Sequence, residues 1–214
     1  MVQVKKAAIL EAINRSAFDL FSENGYSRTT VAQIAKLANI TTSNFYRYYD
    51  TKLDVLFAVF APWLRGHLDA LEDRVAKIED PRTRLRSIFL GIWRDIPRAD
   101  NGFNNNIIEA LAAFSPDERY SKSLLLESEK RLSQMFADCV PPDRLSIIGD
   151  NKLAHLMFMG GDGFAINVKL GGPSPPVEGI ADMMCTLVLG GDNQSSENGG
   201  GKNVSSSAAS GADS

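Results

Sequence analysis

Residues 30–52, TVAQIAKLANITTSNFYRYYDTK, decide the fold of this 214-residue chain. Apolar side chains recur at helical spacing in the first half, which predicts a short helix with one buried face. These side chains are Val31, Ile34, Ala35 and Ala38. Thr29 or Thr30 is placed to cap that helix, because a threonine oxygen accepts an otherwise unpaired backbone N–H. Asn39 tolerates the left-handed backbone that ends a helix and turns the chain.

A second short helix is predicted after this turn. Ile40 is expected to be buried beneath the turn, and Thr41 is placed to cap the new helix. Phe45 and Tyr49, one helical turn apart, are expected in the core. The side chains left outside are Thr42, Ser43, Asn44, Tyr46, Arg47 and Tyr48. This layout is typical of a helix-turn-helix whose second helix enters the DNA major groove, although an ordinary helical hairpin has the same spacing.

A longer run, from residue 9 to residue 56, resembles the N-terminal DNA-binding domain of the tetracycline-repressor (TetR) family of bacterial regulators. The positions that carry the resemblance are AFxLFxxxGY over residues 17–26, TTVxxIA over 29–35, ANIT over 38–41 and FYxYYxxK over 45–52. Two positions depart from the family pattern: Asn39 stands where glycine is usual, and Ser43 where glycine or alanine is common. Neither changes the interpretation. Asparagine is the usual substitute for a left-handed glycine, and Ser43 only adds a small polar group to the surface expected to face DNA.

The resemblance implies an all-α homodimer that reads DNA with the second helix of the motif. Thr42, Ser43, Tyr46 and Arg47 would face bases or neighbouring phosphates, and the residues that would hold the phosphate backbone are Thr30, Thr41, Tyr48 and Lys52. Arg47 is the one long cation on this helix, which makes it the candidate for a guanine contact. Two such domains sit about one DNA turn apart, roughly 34–36 Å, to read a palindromic operator.

The net charge of −3 conceals a basic N-terminal region. Residues 1–52 carry a charge of +3, which leaves −6 on the remainder of the chain. A basic end on an acidic body suits contact with phosphates at that end only. Cys139 and Cys185 are predicted to be reduced, buried thiols rather than a disulfide or a metal pair. The sequence has neither a signal-peptide pattern nor an apolar run of membrane length, so a cytoplasmic protein is expected.

Beyond the motif the chain is predicted to continue as helices, about nine in all. The predicted helical ranges outside the motif are 4–23, 52–77, 82–96, 104–114, 115–139, 143–170 and 177–189. Pro62 predicts a bend near residues 58–62, because proline removes a helical hydrogen bond, and Pro97 is expected to end its helix. The predicted domains are 1–52 for DNA binding, 53–190 for regulation and dimerisation, and 191–214 as a flexible Gly/Ser-rich tail.

The glycines of MGGDGF, residues 159–164, invite a phosphate-loop interpretation. No predicted strand precedes them and no Lys-Ser/Thr pair follows, so close approach of another helix is the preferred explanation for glycines inside a helix. The resemblance further implies that the last two helices form a dimer interface. The apolar residues expected there from the final helix are Ala181, Met184, Leu187 and Val188.

Candidate effector contacts come from three of the predicted body helices and, at Phe103, from the residue just before one of them. His155, Met159 and Asp162 form a stripe with Ile166, and a histidine and a carboxylate on an apolar face need partners. They are expected to pair with each other, across a dimer, or with a ligand. The remaining candidates, chosen because the body of such regulators encloses an effector, are Trp93, Phe103, Asn106 and Glu109.

The predicted function is a homodimeric, sequence-specific transcriptional repressor that an unknown small-molecule effector releases from a palindromic operator. The alternative, a DNA-binding activator or regulator without an effector, fits the same residues. An enzyme is not expected, because the histidines are only His67 and His155 and no nucleophile motif or metal-ligand spacing occurs. No cofactor, metal or membrane partner is predicted.

Overall fold

The computed structural model describes residues 2–99, 102–113, 122–169, 171 and 176–190. Within these ranges the chain forms helices and no β-strand, which confirms the predicted all-α fold. The α-helices are α1 (Val2–Asn24), α2 (Val31–Leu37), α3 (Thr42–Phe45), α4 (Lys52–Val75), α5 (Pro81–Leu90), α6 (Ile96–Ala99), α7 (Phe103–Ala112), α8 (Ser123–Ala137), α9 (Lys152–Lys169) and α10 (Val177–Leu189). A π-helical turn, Gly91–Asp95, joins α5 to α6, and 3₁₀ turns at Pro142–Ile147 and Gly149–Asn151 precede α9. None of the helices described is long and apolar enough to span a membrane.

Helices α1, α2 and α3 pack together as an N-terminal unit, which we call the head. Its core is built from Ile13, Ala17, Phe21, Ile34 and Phe45, each at most 1% exposed. Helix α1 also packs along α4 and against α7, so the head rests on the remaining helices, which we call the body. The apolar positions read from helical spacing therefore meet in one core, as expected for amphipathic helices.

Side-chain caps start the helices of the motif where the sequence predicted them. Thr30 caps α2 by accepting the N–H of Gln33, and the Gln33 side chain accepts the Thr30 N–H in return. Thr41 caps α3 by accepting the N–H of Asn44. Both caps satisfy donors that a helix start leaves without an internal partner.

The turns of the head use residues that tolerate or require a left-handed backbone. Gly25 ends α1 with φ +81°, and Asn39 turns the chain between α2 and α3 with φ +55°. Thr29 is fully buried and donates from its hydroxyl to the carbonyls of Gly25 and Leu20, at 2.8 and 3.1 Å. Thr29 therefore closes the turn after α1 and leaves the capping of α2 to its neighbour.

Helix α4 begins at a second capping box. Thr51 accepts the N–H of Asp54, and the Asp54 carboxylate accepts both the backbone N–H and the hydroxyl of Thr51. The helix then continues through Pro62 to Val75, two residues short of the predicted end. The bend predicted near Pro62 stays a prediction.

Pro97 does not end its helix, which corrects the prediction from sequence. It lies inside α6, directly after the π-helical turn Gly91–Asp95. The N–H of Ile96 donates to the carbonyl of Gly91, five residues back, so the ladder is widened just ahead of the proline. A wider turn accommodates a residue that has no N–H to donate and would otherwise crowd the preceding carbonyl.

The long helix predicted from residue 143 begins later, at Lys152. Asp150 and Asn151 adopt the left-handed conformation, with φ +56° and +59°, and this interrupts the helical path. Aspartate and asparagine are the non-glycine residues that enter this region most readily. The glycines of residues 159–164 lie within α9, so they form no phosphate loop.

Helix α10 covers residues 177–189, as predicted, but its buried face differs from the expectation. Ala181 and Val188 are 0% and 1% exposed and belong to the core of their own chain, because α10 packs against α5. Met184 is half-buried, whereas Leu187 is 59% exposed. Of the predicted dimer residues on this helix, Leu187 is thus the one that lies mainly on the surface.

Ion pairs fasten α8 to α4. Arg131 donates to Glu72 at 2.8 Å and to Asp69 at 2.6 Å. The hydrogen bond to Glu72 is the main cause that raises the pKa of Arg131, and the one to Asp69 adds to it. One turn earlier in both helices, Arg65 makes a bidentate contact with Glu127. The buried side of α8 is formed by Leu124, Leu132, Met135 and Phe136. The predicted start of this helix at residues 115–121, with Tyr120, and the predicted tail at 191–214 lie outside the described residues.

Candidate nucleic-acid interface and internal cavity

The exposed surface of the motif is formed by α3 and the turn that follows it. Phe45 is fully buried and anchors the helix, while Tyr46 meets it edge-on and remains 52% exposed. Four other predicted DNA contacts on this surface are exposed, namely Thr41, Thr42, Ser43 and Arg47. Thr30, at the start of α2, is exposed as well. An open groove between α1 and α3 reaches Ser43 and Arg47. Hydroxyls, a phenol and a guanidinium are therefore exposed on α3 and the turn after it, and such groups can contact phosphates and base edges.

Two tyrosines tie this surface to the head behind it. Tyr48 is half-buried. The Tyr49 hydroxyl donates to Asn14 of α1 at 2.5 Å, and its ring contacts Phe45. Burial raises the pKa of Tyr49, which keeps the phenol protonated as a donor. The turn after α3 is thus held from inside by the predicted core residue Tyr49.

Lys52 differs from the other predicted backbone contacts because its ammonium group is turned inward. It donates to the carbonyls of Tyr26 and Thr29 at 2.8 and 2.9 Å and lies 3.9 Å from the centre of the Tyr26 ring. Burial lowers the pKa of Lys52, and the charge of Glu109 opposes that shift. Two of its three donors are therefore engaged within the chain. Its contact with DNA phosphate stays a prediction.

The body contains a cavity of about 170 Å³ between α4, the π-helical turn, α6, α7, α8 and α9, which we call the α4–α9 cavity. Four aromatic side chains form much of its wall, Phe57, Phe60, Trp63 and Phe158. Side-chain oxygens reach it from three different helices, at Asn104, Ser128 and Asp162. A mainly apolar space with a few polar groups is the usual form of a small-molecule site.

Of the seven predicted effector contacts, Asp162 lines this cavity and the other six lie elsewhere. Trp93 is buried, donates to the Met157 carbonyl at 2.8 Å and packs against Gly160. A methyl group on Gly160 would lie 3.1 Å from the Trp93 ring nitrogen, so the glycine makes room for the indole. At Gly160 the close neighbour is thus an aromatic side chain of the same chain, and the predicted close approach of another helix to the glycine cluster stays a prediction.

Three other candidates on α7 face the head. Phe103 stacks on Phe18 of α1, with ring centres 4.9 Å apart. Asn106 is 4% exposed and donates to the carbonyls of Phe21 and Gly102, both at 3.1 Å. Glu109 lies beside the turn that ends α1, and its negative charge favours the protonated form of Lys52. These side chains connect body and head instead of contacting the cavity.

The residues of the predicted stripe on α9 have different surroundings. His155 Nδ1 lies 2.6 Å from the carboxylate of Glu129, a residue of α8 that is 5% exposed. Met159 is 60% exposed and lies on the surface. Asp162 accepts from the Asn104 amide at 3.4 Å. The histidine and the aspartate thus do not pair with each other, and His155 instead provides a partner for a buried acid that the sequence did not single out.

Comparison with known proteins agrees with the motif. The model of "Bacterial regulatory proteins, tetR family" matches residues 6–59. The "HTH-type transcriptional regulator RutR" of Escherichia coli (strain K12) is 32% identical over 162 residues, which are 74% of this chain and 71% of RutR. The chain belongs to the TetR family. It is a helix-turn-helix transcriptional regulator.

Solved structures of other transcriptional regulators share the fold of this chain. Thermus thermophilus FadR, a TetR-family transcriptional repressor in complex with lauroyl-CoA, has a TM-score of 0.57 at 23% identity over 90% of this chain and 100% of its own. Bacillus subtilis FadR, in complex with stearoyl-CoA, also has a TM-score of 0.57, at 16% identity over 85% and 98%. At these identities the likeness establishes the fold alone.

Sequence reasoning missed most of the cavity of this TetR-family regulator. The lining residues Phe57, Phe60 and Trp63 of α4 and Asn104, Ile107 and Ser128 are not among the effector contacts predicted from the sequence. Helical periodicity marks a residue as buried, but it does not reveal whether the neighbouring space is filled. A polar residue on such a face, as at Ser128, was the available signal.

Proposed function

We propose that this TetR-family regulator is a homodimeric repressor that leaves a palindromic operator when a small effector enters the α4–α9 cavity. In this proposal residues 1–52 are the DNA-binding domain and residues 53–190 the regulatory and dimerisation domain. The observation that carries it is the position of α7. One face of this helix contacts the head through Phe103 and Asn106, and another lines the cavity through Asn104 and Ile107.

A helix held between the cavity and the head supports coupling between them. An effector that fits better when α7 is displaced would favour the displaced state by its difference in affinity for the two states. The contacts of Phe103 and Asn106 would carry that displacement to α1. The spacing of the two heads in a dimer would then depart from the roughly 34–36 Å that a palindrome requires.

The exposed surface of α3 supports DNA recognition. Thr42, Ser43, Tyr46 and Arg47 are proposed to approach base edges and neighbouring phosphates, and Thr30, Thr41, Tyr48 and Lys52 the phosphate backbone. Of the second set, Thr30 and Thr41 are exposed but also cap α2 and α3. The Thr41 hydroxyl accepts a backbone N–H and retains its own hydrogen for a phosphate oxygen. The Thr30 hydroxyl also donates to the Gln33 side chain at 3.0 Å, so it would exchange that hydrogen bond for one to a phosphate.

Binding to DNA is tested by gel shift with the region upstream of the protein's own coding sequence. Arg47→Ala is expected to weaken binding about 10- to 100-fold at the preferred site and to relax the base preference. Lys36→Ala, which removes one exposed charge of the same head, is the matched control and should leave the base preference unchanged. A footprint that neither Arg47→Ala nor Tyr46→Ala alters would exclude α3 as the reading element.

Exposed apolar residues on the last two helices support the proposed dimer. Each is at least 41% exposed, and together we call them the α9–α10 strip: Leu156, Met159, Ile166, Met183 and Leu187. Exposed apolar side chains that gather into a patch often mark an interface with another protein, so these five are the candidates for the dimer contact. Leu187→Glu is therefore expected to shift sedimentation toward monomer, whereas Leu126→Glu, at an exposed leucine of α8 outside the strip, should not. An unchanged dimer in both variants would place the interface elsewhere.

Release from DNA is tested by repeating the gel shift with a panel of small apolar and aromatic compounds. A compound that enters the α4–α9 cavity should lower operator affinity, and enlarging Ile107 to Trp should abolish its effect by filling the space. Release that persists unchanged in Ile107→Trp would show that the effector acts at another site.

A further inference from the structure

The polar groups of the α4–α9 cavity restrict the kind of ligand that suits it. Among the described residues of its lining, the side chains with oxygen atoms are Asn104, Ser128 and Asp162. The same lining contains no lysine or arginine. The one charged group that the described wall offers to a ligand is therefore a carboxylate.

Asp162 is placed at the edge of the cavity with its outer side exposed to solvent. Burial of its inner side raises the pKa of the carboxyl group, and the hydrogen bond from Asn104 opposes that shift. This hydrogen bond is 3.4 Å long, beyond the usual range for N–H···O contacts. Within the described part of the chain no ion pair involves Asp162. A carboxylate beside an apolar cavity, with no cation partner among the described residues, is available to pair with a positively charged group of a ligand.

Ser128 provides a second polar contact on the opposite helix, α8. It is 1% exposed, and its hydroxyl has no hydrogen-bond partner among the described residues. Buried hydroxyls are nearly always hydrogen-bonded, so an exception in a cavity wall indicates a group supplied from within the cavity. A ligand with an N–H or O–H can donate to this oxygen.

We propose that the effector is a small hydrophobic amine whose ammonium group binds Asp162. This inference rests on the proposed function, because it specifies the occupant of the same cavity. The apolar part of the ligand packs against Phe57, Phe60 and Phe158, and aromatic faces also attract a neighbouring cation. Ser128 accepts a hydrogen bond from the ligand.

Size and charge separate this ligand from the acyl-CoA molecules bound by the two FadR proteins. The volume of about 170 Å³ is close to that of an engineered protein cavity of roughly 150 Å³ that admits benzene. One ring with a short chain, or a short alkyl chain, therefore fits. An anionic head group in this cavity would lie near Asp162 without a lysine or arginine in the described lining.

Calorimetric titration of the full-length protein tests the inference without DNA. The probes are 2-phenylethylamine and octylamine, with 2-phenylethanol as the neutral match and 3-phenylpropanoate as the anionic one. The amines should bind at least about 10-fold more tightly than the alcohol, as expected for a charge-assisted hydrogen bond. Asp162→Asn should remove that preference while the affinity for the alcohol is retained, which also shows that the variant is folded. Ser128→Ala should lower amine affinity by roughly threefold.

The outcomes distinguish the ligand class from the repressor mechanism. If neither amine binds, or if the alcohol or the carboxylate binds as tightly as the amines, the inference is overturned. Preference for the amines that survives Asp162→Asn also overturns it. Amine binding that leaves the operator complex intact in a parallel gel shift supports the ligand class and contradicts effector release. Release by a neutral or anionic compound alone does the reverse.

Discussion

Asn106 and Ile107 are neighbours on α7, yet they belong to different surfaces. Asn106 is buried against the head, where it donates to the Phe21 carbonyl of α1. Ile107 lines the α4–α9 cavity, together with Asn104 and Leu111. Successive residues of a helix point roughly 100° apart, so a step of one position is enough to change the partner. Helix α7 is therefore both part of the wall of the α4–α9 cavity and part of the support of the head.

The two faces of α7 show that helical spacing does not reveal which buried face of a helix meets a cavity. The sequence candidates on this helix were Phe103, Asn106 and Glu109, and the cavity residues are Asn104, Ile107 and Leu111. The two sets have similar spacing and differ by one or two positions. A helix that is packed on two sides has no polar face broad enough to distinguish them. Which side meets a cavity depends on neighbours that are distant in sequence.

The largest difference between the faces is expected at their bulky apolar residues. Phe103→Ala removes a buried ring that stacks on Phe18, and we expect it to lower the free energy of unfolding by roughly 3–5 kcal/mol. Leu111→Ala, on the cavity face and half-buried, should cost less than half as much because its side chain borders existing space. Urea denaturation followed by circular dichroism measures both. Equal losses would mean that the two faces are equally packed.

The two asparagines give a second, smaller contrast. Asn106→Ala removes the buried hydrogen bond to the Phe21 carbonyl and a half-buried one to the Gly102 carbonyl, and is expected to lower the free energy of unfolding by roughly 2 kcal/mol. Asn104→Ala, the same change on the cavity face, should have a smaller effect on unfolding and a larger one on effector affinity. Denaturation and ligand titration of both variants provide the comparison. A larger loss of stability in Asn104→Ala would reverse the roles assigned to the faces.

Local rules explain why the head was predicted in more detail than the body. The caps by Thr30, Thr41 and Thr51 and the turn at Asn39 each depend on residues within three or four positions, so the sequence contains them directly. Lys52 shows the opposite case. It ends a motif that predicts a phosphate contact, but its ammonium group meets carbonyls 23 and 26 residues earlier in the chain.

Long-range contacts likewise determine the body. The pairing of His155 with Glu129 and the approach of Trp93 to Gly160 each join segments that are distant in sequence, and the cavity needs the arrangement of more than four helical segments. Composition and spacing identified most of these residues as buried or near an apolar face. They did not identify their partners, because contacts between helices depend on relative rotation and not on the period alone.

Two glycines of α9 also differ in their surroundings: Gly160 is packed against Trp93, and Gly163 is not packed against a described residue. At Gly160 an added methyl group would meet the Trp93 ring at 3.1 Å, so Gly160→Ala is expected to lower the free energy of unfolding by about 1 kcal/mol. No described atom lies within 4 Å of a methyl group at Gly163. Gly163→Ala should therefore raise the free energy of unfolding by up to about 1 kcal/mol, through helix propensity. Thermal melting of both variants checks the opposite signs, and two shifts in the same direction would contradict the packing of Trp93.

The smallest expected effect is a pH dependence of the free energy of unfolding. It arises at Lys52, whose protonated form is favoured by the charge of Glu109 on the head-facing side of α7. Burial lowers the pKa of Lys52 below its ordinary value of 10.5, so the folded state loses this proton at lower pH than the unfolded state. Between the two pKa values the unfolded state binds more protons, and the stability of the wild-type protein relative to Lys52→Met should rise with pH. Glu109→Gln removes the charge that opposes the shift, so the rise should begin at lower pH in that background. Denaturation at a series of pH values up to about 10.5 measures both differences. A difference that falls with pH would mean that the lysine is held more strongly as a cation in the folded head than in the unfolded chain.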